Sequence, residues 1–423
     1  MIIYQVLTRL FGKGRFSSFD EKALNYIKSL GASHVWYTGV IRHATGKDFV
    51  KGAPGSPYSI SDYHDVNPYL ADDQPSRMAE FQSLINRTHK AGLKVIIDFV
   101  PNHVACDYPE WQIPTYPWCD YDWTDTRKIN YSHPDCFAAM LEIVRFWALK
   151  GVDGMRCDMI DLVPQQFFSY LIKSIKAEFP EFIFIGETYK PESYKSFIRE
   201  CGFDLLYDKS GIYDKLRAMM TAGASARELT WNWQSLGALQ PNMLNFLENH
   251  DEQRLASPWF AGKAELGYAA LAAAALFNNA SFMLYFGQEA GENAAEGAEG
   301  RTSIFNWSTP ATVAAIYEYI QNGKGLGKAQ RSILARYRSV LKLAARVEDW
   351  ANYDLCWCNT ESRGFNVDRH FAFARYKGDK CYVCVCNFGS EESSMELWLP
   401  ADIPGGNRAV QMTVPANDYL LLG

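Results

Sequence analysis

No apolar run in the 423 residues approaches the roughly 20 needed to cross a bilayer. The longest candidate, "LGYAALAAAALF" (266–277), is short and alanine-rich and reads as a buried helix. There is no block of basic residues either. Lys and Arg number 42 against 48 Asp and Glu, a net charge of -6, which argues against nucleic acid as a main partner. Low-complexity linkers and repeats of fixed period are also missing. The opening "MIIYQVLTRLFG" has no basic stretch before its apolar residues and no small-residue cleavage site, so it reads as a first strand. A cytoplasmic chain is therefore expected, or a periplasmic or secreted one had a signal been removed. In that setting the ten cysteines are expected as reduced thiols. Cys356, Cys358, Cys381, Cys384 and Cys386 superficially suggest zinc, yet "LCWCN" and "CYVCVCNF" read as strands of alternating small apolar residues.

What is present is a substantial core: 48% of residues are hydrophobic and 14% aromatic. Eight short apolar runs end in polar or turn residues: 2–7, 34–41, 94–100, 152–159, 182–188, 203–208, 243–251 and 282–289. Between them lie helical patterns such as "EKALNYIKSLGA", "MAEFQSLINRTHKAGL" and "DCFAAMLEIVRFWALKG", with apolar residues recurring at three and four. Strands alternating with helices in this way predict an α/β (β/α)8 barrel. Its expected extent is residues 1–345, including a short insert at 104–132 after strand three. Residues 346–423 alternate with period two between Gly- and Asn-bearing turns and predict a C-terminal β-sandwich. The helical stretch "QRSILARYRSVLKLAARV" leads into it.

Active sites of such barrels lie at the C-terminal ends of the strands. Those ends carry Asp98, Asn102 and His103; Arg156 and Asp158; Glu187; and Asn249, His250 and Asp251. In "GVDGMRCDMID" (151–161), Arg156 and Asp158 stand two apart and so share a face. Charge on a core-facing strand is expensive unless it is paired or used. Glycosidic bond cleavage needs such a set: one carboxylate to attack the sugar carbon and a carboxyl to protonate the leaving oxygen. Arg156 is expected to keep Asp158 ionised, as a nucleophile must be. Glu187, following the apolar "FIFIG", is expected in desolvating surroundings that keep it protonated, as an acid must be.

Four stretches, "DFVPNH", "GMRCD", "GET" and "ENHD", in that order and on those strands, resemble the signature regions of the α-amylase family, glycoside hydrolase family 13. Two more agree: "GSPYSISDYHDVNP" (55–68) and "GQEAGENAAEGAEGRTSIFNW" (287–307). The resemblance implies a retaining hydrolase of α-glucosidic bonds in malto-oligosaccharides or starch-like α-glucans. It implies Asp158 as nucleophile, Glu187 as acid/base, and Asp251 as the third carboxylate, on the sugar hydroxyls. It also implies Arg156 orienting the nucleophile, His103 and His250 on the same sugar, and Tyr58 as the aromatic platform beneath it. Asp98 and Asn102 read as structural, bracing the loop after strand three.

Three departures qualify the resemblance. The insert is short and aromatic, with Tyr108, Trp111, Tyr116, Trp118, Tyr121 and Trp123, which serve either as sugar-stacking rings or as a local core. Lys128 stands where many amylases place a calcium-ligating aspartate, so no cofactor is expected; Asn102 with scattered Asp120, Asp122 and Asp125 gives calcium only weak support. Asp161 and Leu162 stand where a Lys-His pair often lines the cleft, which predicts a more open and differently charged reducing-end side. Rival readings are a family-13 transglycosylase or sugar isomerase using the same glycosyl-enzyme intermediate, and a non-catalytic glucan-binding protein. A phosphate-binding barrel fails for want of a Gly-rich phosphate loop. The acidic "GQEAGENAAEGAEG" would repel phosphate.

Overall fold

A computed structural model describes residues 1–302 and 304–423. Eight parallel strands close into a barrel: β1 Ile2–Leu7, β2 His34–Thr38, β3 Lys94–Phe99, β4 Gly154–Cys157, β5 Ile183–Gly186, β6 Leu205–Tyr207, β7 Met243–Phe246 and β8 Ser281–Tyr285. They follow one another around the barrel in chain order. All eight coincide with the apolar runs, but several end earlier than expected. Asp158 and Glu187 lie just past β4 and β5, and Asp251 lies five residues past the end of β7. The cause after β4 is local: Met159 adopts a left-handed backbone (φ 45°), which ends the extended chain directly after Asp158.

The chain divides into two compact units. The first, Ile3–Tyr207 with Ser303–Gly325, carries β2 to β6 and nearly all of β1. β1 and β2 are buried at every position, as expected of parallel strands covered on both faces. Helix Cys136–Leu149 buries Met140, Leu141, Ile143, Val144 and Trp147, and the Trp147 indole N–H donates to the Tyr63 carbonyl (2.8 Å). The insert is clasped at its base by the antiparallel pair His103–Ala105 and Thr126–Lys128. Its aromatics differ in burial. Tyr108 is buried against Tyr63, whereas Trp111, Trp118 and Tyr121 are exposed. Ser303, within the 287–307 stretch, lies outside the described residues.

The second unit comprises Met1–Ile2, Asp208–Thr302 and Leu326–Gly423. It contains β7, β8 and helix Tyr268–Leu276, whose nine residues are all buried, as the alanine-rich run predicts. Among the described residues no helix is long and apolar enough to cross a membrane. Helix Lys328–Arg346 leads to six C-terminal strands: β9 Ala351–Asp354, β10 His370–Lys377, β11 Lys380–Asn387, β12 Ser393–Leu399, β13 Arg408–Val414 and β14 Tyr419–Leu422. β9, β10, β11 and β14 form one antiparallel sheet, and β12 pairs with β13. "CYVCVCNF" is β11, as expected, but "LCWCN" is a tight helical turn at Trp357–Asn359 and no strand. Its backbone is diverted by side chains: Asp354 accepts from the Cys356 N–H (2.7 Å), and the Asn359 amide bonds both Leu355 and Trp398 backbone groups.

Arg375 of β10 ties this sheet to the barrel helix in the same unit. Its buried guanidinium donates to the carbonyls of Leu276 (2.8 Å), Asn278 (2.8 Å), Val347 (2.5 Å) and Trp350 (3.0 Å). Burial pulls its pKa down to about 10, and the negative charge of Asp349 opposes part of that shift. Arg375→Met should leave those carbonyls dry and unbonded. The expected loss is about 3 kcal/mol, read from the urea midpoint at unchanged m-value. A loss under about 0.5 kcal/mol would show that this network carries no stability.

Candidate active site

Strand register assembles the site in the first unit. Asp98 on β3 pairs with Arg156 on β4, and Arg156 with Ile185 on β5. One step past the last pair, Cys157 with Gly186, the chain delivers Asp158 and Glu187 side by side. The Asp158 N–H donates to the Phe99 carbonyl (2.9 Å) and the Glu187 N–H to that of Cys157 (3.0 Å). Gly186 leaves room for its neighbours there: a Cβ would sit 2.6 Å from Ile160 Cδ1 and 2.8 Å from Leu206 Cδ2, so those side chains would have to shift.

The Arg156 side chain, 0% exposed, is the hub. Nη1 donates to Asp158 Oδ1 at 2.6 Å and lies 3.8 Å from Asp98 Oδ1. Nη2 lies 2.7 Å from Glu187 Oε2 without hydrogen-bond alignment, and Nε donates to the Tyr207 hydroxyl (3.3 Å). The rings of Trp36, Tyr58 and Tyr207 surround the cation at 5.5, 5.4 and 5.5 Å. Burial disfavours the charge, but the carboxylates and phenols around it, Glu187 foremost, hold its pKa well above the ordinary value.

The surroundings of Glu187 differ from the expectation of a purely apolar pocket. Besides Arg156, Oε2 accepts from the Met159 N–H (2.8 Å) and Oε1 from the Tyr189 hydroxyl (2.5 Å). Strand β5 is apolar, but the turn after β4 and the residue two beyond Glu187 fold back over the carboxyl with polar groups. One guanidinium thus faces both carboxyls, and proximity to Arg156 does not by itself separate their roles. Their directed bonds differ: Asp158 takes one from Arg156, and Glu187 takes its own from Met159 and Tyr189.

Asp98 reaches the loop after β2. It accepts from the Gly39 N–H after β2 (3.1 Å), where a φ of 77° favours glycine, and from the Tyr58 hydroxyl (3.3 Å). Tyr58 is thereby fixed with its ring near the guanidinium. Asn102 does hold the insert. Its amide donates to Asp120 Oδ2 (3.0 Å), and Lys128 Nζ reaches both Asp120 oxygens at 2.9 and 2.8 Å. This position does not fit a calcium ion, because an ammonium already occupies the carboxylate and can donate only. His103 is buried against Trp123, with ring centroids 5.0 Å apart, and burial pushes its pKa down to about 4, so its imidazole is neutral near pH 7. Asp161 is tied to the loop after β5. Its carboxylate accepts from the Thr188 hydroxyl (2.9 and 3.0 Å) and the Tyr189 N–H (3.3 Å).

Asn249, His250 and Asp251 belong to the second unit, in the turn after β7. The Asn249 side-chain oxygen accepts from the N–H groups of Asp251 and Glu252, each at 2.8 Å. His250 is buried with Nε2 3.0 Å from Asp251 Oδ2, while the Asp251 side chain is about one-third exposed. Beside them Glu248 accepts from Arg254 (2.9 Å) and the Leu255 N–H (2.8 Å), and burial pushes its carboxyl up to about 7. Sequence reading missed this pair, and missed Trp36, Tyr207 and Tyr189. β2 and β6 are buried at every position, so no alternation singles out the rings of Trp36 and Tyr207. Nothing in the sequence marks Tyr189.

The family model for the α-amylase catalytic domain matches residues 19–116 and 115–365. The chain belongs to the α-amylase family of glycoside hydrolases. It is 28% identical to α-amylase MalA of Haloarcula japonica across 96% of this chain and 57% of that protein. It is 23% identical to a cyclomaltodextrinase of Thermoanaerobacter pseudethanolicus across 87% of this chain and 63% of the relative. The chain thus spans about three-fifths of the length of these relatives. A maltogenic α-amylase of Thermotoga neapolitana shares the fold, with a TM-score of 0.75 at 23% identity, covering 100% of this chain and 96% of the other.

Arg156→Met should leave three carboxylates gathered in the interior without their common cation. Breaking a buried ion pair in this way costs about 3–5 kcal/mol, and unfolding in guanidinium chloride should read that loss. Arg156→Lys should recover only part of it, since one ammonium cannot reproduce the fork. Full stability in the Met variant would refute the role of Arg156 as counter-charge.

Proposed function

We propose that the protein is a retaining glycoside hydrolase cleaving α-glucosidic bonds in malto-oligosaccharides or starch-like α-glucans. Residues 1–345 act as the catalytic barrel and 346–423 as a C-terminal β-domain. The observation that carries the reading is the shared guanidinium: adjacent nitrogens of Arg156 lie 2.6 Å from Asp158 and 2.7 Å from Glu187. Retention requires two carboxyls roughly 5 Å apart, and neighbouring arms of one guanidinium impose a close pairing of that kind. Relatives named α-amylase and cyclomaltodextrinase support the substrate class.

In this reading Asp158, held ionised and aimed by Arg156, attacks the anomeric carbon and forms the glycosyl ester. Glu187 gives its proton to the departing oxygen, then takes one from the water that releases the sugar. By the family resemblance, Asp251 and His250, in the second unit, are read as residues for sugar hydroxyls. His103, neutral through burial, hydrogen-bonds the same sugar without adding charge, and Tyr58 lies beneath the ring.

Asp158→Asn should abolish turnover with the fold intact, because an amide cannot form the ester. The fall should exceed a thousandfold, about 4 kcal/mol of barrier. Wild-type enzyme should release the α anomer first, followed by NMR on fresh product from maltotriose and maltoheptaose. More than a few per cent residual rate in the variant, or β product first, would end this assignment.

No calcium is proposed at the Lys128 position, a reading supported by the Lys128–Asp120 pair. A metal bound only to the native state would raise its melting temperature by mass action. EDTA should therefore lower melting by no more than about two degrees and leave the rate unchanged. A drop of many degrees would contradict the proposal.

A further inference from the structure

Double displacement asks the carboxyl of Glu187 to hold a proton in one half-reaction and to be bare in the other. That premise rests on the reading of Glu187 given above. Its two oxygens are not equivalent. Oε2 faces the Met159 N–H at 2.8 Å and Arg156 Nη2 at 2.7 Å, and both groups can only donate. A proton placed on Oε2 would point at donors, so the proton belongs on Oε1. The partner of Oε1 is the Tyr189 hydroxyl, 2.5 Å away, and a phenol hydroxyl can donate or, after rotating, accept.

We propose that Tyr189 is a positioning residue for Glu187, its hydroxyl donating to Oε1 when the carboxyl is ionised and accepting from it when protonated. Asp161 is the second part of the device. Its carboxylate holds Thr188 through the hydroxyl and Tyr189 through the backbone N–H, so the turn after β4 fixes the loop after β5. The same turn supplies Met159, and the Ile160 N–H donates to the Glu187 carbonyl (3.1 Å). In the first step the Oε1 proton passes to the glycosidic oxygen as the C–O bond pair leaves with it and Asp158 closes the ester. Tyr189 then turns its O–H toward the bare Oε1. In the second step water adds to the sugar carbon, the ester bond breaks back to Asp158, and the water proton goes to Oε1. Tyr189 stays a phenol throughout.

The charged and titratable groups gathered around Glu187 in this unit include Arg156 with its partners Asp98, Asp158 and Tyr207, Asp161 in the turn after β4, and Tyr189 and Lys190 in its own loop. The charge-assisted bond to a carboxylate is stronger than the bond from a neutral acid, so its loss raises the pKa of the acid.

Tyr189→Phe removes the hydroxyl and keeps the ring. Its melting temperature should stay within about two degrees of wild type, and kcat on maltotriose should fall about tenfold, or 1.4 kcal/mol, with KM changed less than about twofold. The basic limb of kcat/KM should move up by about half a pH unit or more. Asp161→Ala should shift kcat and the pH limb in the same direction by less. Wild-type kcat and an unshifted limb in Tyr189→Phe, with Asp158→Asn inactive, would overturn this proposal alone, as would a loss confined to KM. An active Asp158→Asn would remove the underlying reading and this proposal with it.

Discussion

A guanidinium carried into a closed barrel and denied all contact with water needs an environment built around it. Arg156 has one: carboxylates of Asp158 and Glu187 within 2.7 Å, a third from Asp98 at 3.8 Å, and three aromatic rings about it. Taking the cation and its partners out of water costs several kcal/mol per ion, which only a dense set of directed contacts can offset. Each contact in turn restrains an element. Asp98 fixes Gly39 and Tyr58, Tyr207 brings in β6, and Asp158 and Glu187 set the chain past β4 and β5. The buried charge thereby organises five strands or strand-following turns of one unit.

The same device recurs with other cations and simpler partners. Lys128 occupies Asp120 at the base of the insert, and Arg375 gathers backbone carbonyls beneath the C-terminal sheet. In the insert a side-chain ammonium does the tying that a divalent ion can do. A covalently attached cation adds no dependence on metal concentration, but it supplies donors only and cannot accept further ligands. Arg375 instead donates to neutral backbone oxygens, and the charge of Asp349 offsets only part of its desolvation.

Much of the fold was legible because barrel strands buried on both faces read as apolar runs, and amphipathic helices carry the three-and-four spacing. The eight runs and the buried helix at 268–276 follow directly from that rule. "LCWCN" failed it. Its apolar pattern suits a strand, but Asp354 and Asn359 hydrogen-bond the backbone locally and draw it into a turn. Residues bearing the site were legible as types out of place: a charged pair on a core-facing strand, and carboxyls at strand ends. Their partners were not, because Trp36, Tyr207 and Tyr189 are aromatic residues among many, and aromatic type alone says nothing about which group a ring will face.

The amino-acid order alone determined the barrel, the C-terminal β-strands, and the set Asp98, Arg156, Asp158 and Glu187, since these depend on local periodicity and on the cost of burying charge. The tertiary structure alone decided how that set is wired. Strand register put Asp98 opposite Arg156, and the left-handed turn at Met159 brought a backbone N–H to Glu187. The loop held by Asp161 then carried the Tyr189 hydroxyl onto Oε1. Hydrogen bonds of that kind depend on distances of a few tenths of an ångström between residues far apart in the chain. No pattern of spacing along one strand encodes them.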